Sequence, residues 1–456
     1  MKELARHIMV DFMPMKTFAE DPLILTEGRG IYVTDVDGKR YIDGLSGTFC
    51  MNLGHGNRAV VEAATRQMER LALACPTLGT SDRALELTAK LLEITPPQYT
   101  TVKLLSGGSE ATESAIKMAR QYHKQTGAAT KYKVLSHYRG YHGATGHAIA
   151  AGGWPGWRAP YEPLAGGFIH LHTPDLYTPL VPGNADTLGA TYARLVEEVI
   201  QLEAPETIAA FITEPIMLSA GVVVPPRDYL PRIRDLCDRY NIVLIYDEII
   251  TGVGRTGRLF AAEHWNAWPD ILCLGKGMSG GYAPLSATVL TDRIARAFWG
   301  DAADGVQFHA GHTYGGNPVA CAVGLAAIRE VEEQRLIENA RERGSQVKAG
   351  LADLQRRHQA IGDIRGEGLL VAAELVKDPA TRERFPAAFN AGIRVRDAAR
   401  RRGLLLRAAP SMVVFAPPLT TTAREIDEIL GIFEDALAEV LPPSEGARAL
   451  AARARA

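Results

Sequence analysis

The stretch YDEIITGVGRTG, residues 246–257, decides how this chain is to be read. Gly252, Gly254 and Gly257 keep the spacing G-x-G-x-x-G, the fingerprint of a dinucleotide-binding turn. That turn needs its first glycine directly after a strand, a helix opening within the motif, and an acidic residue at the end of the next strand. Here two carboxylates and two isoleucines separate the apolar run from the first glycine, and the next apolar run, DILCLG, ends in Lys276. The glycines therefore read as a turning loop, not as a nicotinamide site.

Working outward, IVLIYDE (242–248) is one of a series of apolar runs with VKLL (102–105), KVLS (133–136), AAFITEP (209–215) and DILCLGK (270–276). Between them, Ala111, Ala115, Met118, Ala119 and Tyr122 fall at helical spacing, as do Leu230, Ile233, Leu236, Cys237 and Tyr240. Near-continuous apolar strands separated by helices predict an α/β fold, a mostly parallel sheet with helices on both faces. IYVTDVDGKRYI (31–42) predicts a hairpin around Asp37-Gly38. Beyond about residue 318 the chain reads as helical, then as a smaller strand–helix mixture: GLLVAAELV, GLLLRAA, MVVFAPP and an amphipathic helix from about Thr421 to Leu441. The expected division is an N-terminal segment (1–60) that joins a small α/β domain, a large domain (61–325), the rest of the small domain (326–441) and a loose Ala/Arg-rich tail (442–456).

The totals narrow the function classes. With 50 basic against 52 acidic side chains and a net charge of −2 among 456 residues, nothing points to a nucleic-acid partner. No apolar run is long enough to cross a bilayer, and MKELARHIMVDFMPMK lacks the apolar centre of a signal peptide. The five cysteines are far apart and form no C-x-x-C pair, so reduced thiols, a cytoplasmic location and no metal site are expected.

In open parallel sheets, ligands bind beyond the carboxyl ends of the strands. Those ends carry Ser106-Gly107-Gly108-Ser109, Tyr141-His142-Gly143, Glu214, Asp247 and Lys276. In SGGSEATE, two glycines and two serines stand where strand becomes helix, which suits either an anion site or an ordinary helix cap. Asp247, closing an apolar strand, wants a cationic partner: a structural ion pair, or a protonated ring nitrogen. Lys276, after another buried strand, is either a lysine reaching for solvent or an amine of lowered pKa suited to a Schiff base. Taken jointly they describe one ligand, with a phosphate, an aromatic ring stacked on Tyr141, a basic ring nitrogen for Asp247 and an aldehyde for Lys276. That ligand is pyridoxal 5′-phosphate.

Across nearly its whole length the chain resembles the class III, pyridoxal-phosphate-dependent aminotransferases of fold type I. The carrying blocks are DGLSGTFCMNLGHG (43–56), LLSGGSEATESAIKMAR (104–120), YRGYHGAT (138–145), ITEP (212–215), YDEIITGVGRTG (246–257), LGKGMSGGYAPLSA (274–287), HAGHTYGGNP (309–318) and IRGEGLLVAAEL (364–375). The resemblance implies Lys276 as the Schiff-base lysine and Asp247 at the ring nitrogen. It also implies Gly108 and Ser109 at the phosphate, Tyr141 and Ile249 on opposite ring faces, and His142 and Glu214 near the ring. Thr313 would reach the phosphate of a neighbouring subunit's cofactor, which implies a homodimer with sites at the interface and leaves a tetramer open.

For substrates, the resemblance implies a ping-pong transfer of an amino group from a small-molecule amine to a keto acid. Ile250, where ornithine, acetylornithine and 4-aminobutyrate enzymes often carry Gln, leans toward the ω-aminotransferase branch, with an amine or ω-amino acid as donor and pyruvate as acceptor. The alternatives are a 2-oxoglutarate-dependent member and an aminomutase on the same fold. Phe49 matches an aromatic wall of that branch's substrate pocket, and equally suits a core position. Arg407 matches its carboxylate-binding arginine, although Pro410-Ser411 stands where the family often has Gly-Asp.

Overall fold

A computed structural model describes residues 1–441; the expected tail at 442–456 lies outside the described residues. No helix among the described residues is long and apolar enough to cross a membrane. After two short helical turns, Lys2–His7 and Met15–Glu20, come three strands, β1 (Leu25–Arg29), β2 (Tyr32–Asp35) and β3 (Arg40–Asp43), in antiparallel order. The predicted hairpin is β2–β3, with Tyr32 opposite Ile42 and Gly38 at φ +80° in its turn. β1 carries LTEGR, exposed throughout, and its burial pattern gives the sequence no strand signal.

The central sheet has seven strands: β4 (Tyr99–Leu105), β5 (Lys133–His137), β6 (Phe168–Leu171), β7 (Ile208–Thr213), β8 (Val243–Asp247), β9 (Ile271–Leu274) and β10 (Ser286–Thr291). Their spatial order is β4-β10-β9-β8-β7-β5-β6. Only β10 runs against its neighbours, so the other six strands direct their carboxyl ends to one edge. Every residue of β7, β8 and β9 is buried, which explains why these strands read as continuous apolar runs. The pleat then sorts them. Val243 and Ile245 pack with Ala111, Ala115 and Ile116 of the helix Gly108–Gln125. Leu244 and Tyr246 pack on the opposite face with Leu230, Ile233 and Leu236 of the helix Tyr229–Arg239.

Two helices, Pro318–Glu333 and Leu336–His358, lead to β11 (Ile361–Glu367), β12 (Leu370–Leu375), β13 (Leu404–Leu405), β14 (Arg407–Ala409) and β15 (Met412–Phe415). Four of these form the sheet β11-β12-β15-β14, while β13 pairs in parallel with β3, so the two ends of the chain share a sheet. The helix Ala423–Val440 closes the described chain, capped by Thr422 and Glu425 acting reciprocally.

The loop after β8 shows what the glycine motif does. No helix opens there; Val253, Gly254 and Gly257 take φ of +55°, +92° and +75° and turn the chain. Between those glycines, Arg255 is fully buried. It donates to Leu369 O (3.1 Å), Pro417 O (2.5 Å), Ser46 Oγ (3.1 Å) and Asn52 Oδ1 (2.7 Å). One guanidinium thus ties the N-terminal segment and the C-terminal strands to the sheet that carries the candidate site.

Candidate active site

At the carboxyl edge of the central sheet, a cavity of about 150 Å³ is lined by residues from five separate stretches of sequence. They include Gly108 and Ser109, Tyr141 and His142, Glu214, Asp247 and Ile249, and Lys276. The helix Gly108–Gln125 starts here with Gly107 at its cap position, which makes no side-chain capping bond. The first-turn amides and the positive end of an 18-residue helix therefore face the cavity as an anion cradle. Ser109 Oγ accepts from Ala144 N (3.0 Å), and Thr112 Oγ1 donates to His142 O (2.6 Å), so the helix start fixes the loop that carries Tyr141 and His142. The packing leaves no spare room: a Cβ on Gly108 would lie 2.9 Å from Ile249 Cδ1, and one on Gly143 would lie 2.5 Å from Ser109 Oγ.

Asp247 closes β8 and is 5% exposed. Its Oδ2 is 3.0 Å from His142 Nδ1 and its Oδ1 accepts from Ile249 N at 3.1 Å, which locks the carboxylate in orientation. Glu214 follows β7 and accepts from Tyr141 N and Leu218 N, both at 3.1 Å. Burial pushes its carboxyl up to about 7, with the Asp247 charge adding to the effect and His142 opposing it. Lys276 follows β9 at φ +42°, a conformation non-glycine residues rarely adopt. Burial pushes its ammonium below the usual lysine value against the pull of Asp247, and its amine has no ion-pair partner among the described residues. An amine whose pKa is lowered by its surroundings, facing a fixed carboxylate and an anion cradle, fits pyridoxal 5′-phosphate in its functional groups.

Three sequence-predicted residues lie outside this cavity. Arg407 sits half-buried on β14, where Arg407 pairs with Val414, and has no ion-pair partner among the described residues. Its charge nonetheless reaches Tyr141 and Lys276. Phe49 is 2% exposed and packs in the main core, with the next residue, Cys50, near enough for its charge to act on Lys276. Thr313 is exposed, beside the exposed Tyr314, and reaches nothing in the cavity of its own chain.

Gly143 and Ile250, both singled out in the sequence, also line the cavity, as does Thr251, which sequence reasoning passed over. The Thr251 hydroxyl donates to Glu248 Oε2 at 2.9 Å, a contact that only the folded loop creates. A second cavity of about 300 Å³, also lined by Tyr141 and Gly143, draws Asp11 and Phe12 from the N-terminal segment, residues that no local pattern marks.

Comparison with known proteins bears on this arrangement. The family model "Aminotransferase class-III" matches residues 16–437. Among curated relatives, the uncharacterized aminotransferase YhxA of Bacillus subtilis is 38% identical over 90% of each chain. The taurine–pyruvate aminotransferase of Bilophila wadsworthia is 35% identical over 92% of this chain and 93% of its own. The diaminobutyrate–2-oxoglutarate transaminase of Halomonas elongata is 35% identical over 91% and 90%. Among solved structures, an (S)-enantioselective omega-transaminase from Thermomicrobium roseum superposes with a TM-score of 0.91 at 38% identity, covering 96% of this chain and 97% of that one. An amine transaminase from an uncultivated Pseudomonas species, described as PLP-bound, gives a TM-score of 0.90 at 37% identity over 95% and 98%. With the fold, the strand-edge cavity and a family match along nearly the whole described length in agreement, the chain belongs to the class III aminotransferases, enzymes that transfer amino groups.

Proposed function

We propose that this aminotransferase uses pyridoxal 5′-phosphate to move an amino group from an amine or ω-amino acid to pyruvate, in two half-reactions that share one site. The observation that carries the reading is the convergence of Lys276, Asp247 and the open helix start at Gly108 on one cavity. When bound, the cofactor supplies an aldehyde that takes up the amino group and a ring that accepts electrons. Gly108 and Ser109 receive its phosphate at the helix amides. Tyr141 and Ile249 hold the ring between them. Asp247, oriented by His142, keeps a proton on the ring nitrogen, and Glu214, raised to about 7, stands beside them as a carboxyl that need not add a second full negative charge.

Lys276 has two tasks. It anchors the cofactor through its amine, and once the donor amine displaces it, that amine takes the proton from the donor carbon. A depressed pKa serves both, since only the neutral amine is a nucleophile or a base. Arg407 is the residue for a substrate carboxylate; it has no competing ion pair among the described residues, which supports that role over a structural one. The exposure of Thr313 and of the neighbouring Tyr314, 63% exposed, supports a homodimer in which Thr313 reaches the partner's phosphate site.

An amine panel with pyruvate and 2-oxoglutarate as acceptors tests the reading. Turnover of amines with pyruvate, together with a yellow holoprotein whose colour is lost on amine addition, is the expected result. Turnover with 2-oxoglutarate alone would assign the chain to the other branch. Conversion of an amine with no keto acid supplied would indicate an aminomutase.

A further inference from the structure

The cavity next to the Lys276 site has a chemistry that the transfer reaction does not require. Its volume is about 300 Å³, twice that of the cavity holding Lys276, and Tyr141 belongs to both. Its walls are aromatic. Tyr141 and Trp157 meet edge to face at 5.5 Å between ring centroids, Phe12 lies 5.5 Å from Trp157 and 6.3 Å from Tyr141, and Trp154 lies 5.9 Å from Trp157. Aromatic faces present negative charge to a cation. Asp11 adds a carboxylate that lines the cavity and makes no hydrogen bond or ion pair with any described residue.

The one cation on this wall, Arg158, turns its guanidinium to the His170 ring at 3.3 and 3.4 Å. Arg407 acts from another direction: at the Tyr141 hydroxyl, the charges of Asp11 and Arg407 work in opposite senses. Tyr141 thus stands between an anionic and a cationic pole, each without a partner in the described chain.

We infer that Asp11, with Phe12 and Trp157, is a specificity site for a second ammonium group at the far end of the amine donor, so that the enzyme prefers diamines to monoamines of equal length. This rests on the aminotransferase reading and deepens it. The same carboxylate disfavours substrates whose far end is acidic, because a second carboxylate would meet Asp11 and the negative ring faces together. Arg407 then serves the keto acid, and Asp11 the donor.

The test is a titration of the purified full-length chain with 1,4-diaminobutane and with 1-aminobutane, read by the protein's tryptophan emission, to which Trp154 and Trp157 in the cavity contribute with three others. The wild type binds the diamine more tightly. In Asp11→Asn the ratio of the two affinities falls by a factor of about 5 to 10, while Asp11→Glu retains most of it. Raising the salt to about 0.5 M narrows the wild-type ratio and leaves that of Asp11→Asn nearly where it was. An Asp11→Asn ratio within twofold of the wild-type ratio overturns the inference. Turnover of the two amines with pyruvate, measured alongside, separates the two readings: absence of any turnover counts against the aminotransferase, while the binding ratio still judges Asp11.

Discussion

Two buried cations sit just past the ends of adjacent strands, Arg255 after β8 and Lys276 after β9, and the fold treats them in opposite ways. Arg255 gives its guanidinium hydrogens to four neutral oxygens from the two ends of the chain. Lys276 has no ion-pair partner among the described residues and sits on a backbone at φ +42° that costs about 1–3 kcal/mol. Burial lowers the pKa of both, that of Arg255 to about 10. At that value arginine still stays charged at neutral pH and holds its acceptors, whereas a lowered lysine gains a population of free amine. A buried cation whose terminal nitrogens are taken up by fixed acceptors, though its Nε is not, is a fastener; one left facing a cavity is the candidate for chemistry.

The contrast can be broken by exchanging what each residue is asked to do. Lys276→Ala should reduce transamination by at least about 10⁴-fold and abolish the holoenzyme colour, with no loss of unfolding free energy, since no hydrogen bond or ion pair goes with it. Retained turnover would refute the assignment. Arg255→Met should behave in the reverse manner. It orphans four acceptors and should lower stability in urea melts by about 3–5 kcal/mol, and residual activity should scale with the folded fraction. A loss of activity in fully folded Arg255→Met would give the arginine a direct chemical task and dissolve the distinction.

Glu214 sharpens the comparison from the acidic side. Burial holds its carboxyl up at about 7, above the ordinary glutamate range, so between the two the native state holds a proton that the unfolded state has released. Stability should therefore fall as pH rises through that window, by up to about 3 kcal/mol from this group. Glu214→Gln should flatten the slope between pH 5 and pH 7.5 in paired denaturation curves. An unchanged slope would mean that the two backbone amides it accepts from hold it ionised.

Much of the fold was legible because burial on both faces leaves a direct mark on composition. IVLIYD and DILCL read as sheet interior, and are fully buried as β8 and β9. β6, FIHL, at the sheet edge and half-buried, and β10, SATVLT, with polar residues among its apolar ones, gave no such mark. β10 draws its burial from neighbours on either side, which local pattern does not encode. The cavity residues divide along the same line. Asp247 and Lys276 stand out because a charge at the end of an apolar run is costly and so asks for an explanation. Thr251 does not, because a hydroxyl in a loop is ordinary until its neighbours are known.

From its residues alone this chain specified a parallel α/β sheet, the strand ends that would carry chemistry, and a chemistry of lysine, aspartate and an anion cradle. Those features are local: apolar runs, helix spacing and charges out of place. The tertiary structure alone decided that the glycine loop is a junction closed by Arg255, that Arg407 has no competing ion pair among the described residues, and that Asp11 reaches a cavity beside Tyr141 from more than a hundred residues away. Whether a charge is satisfied depends on groups far off in sequence, and only the folded chain brings those groups within hydrogen-bonding distance.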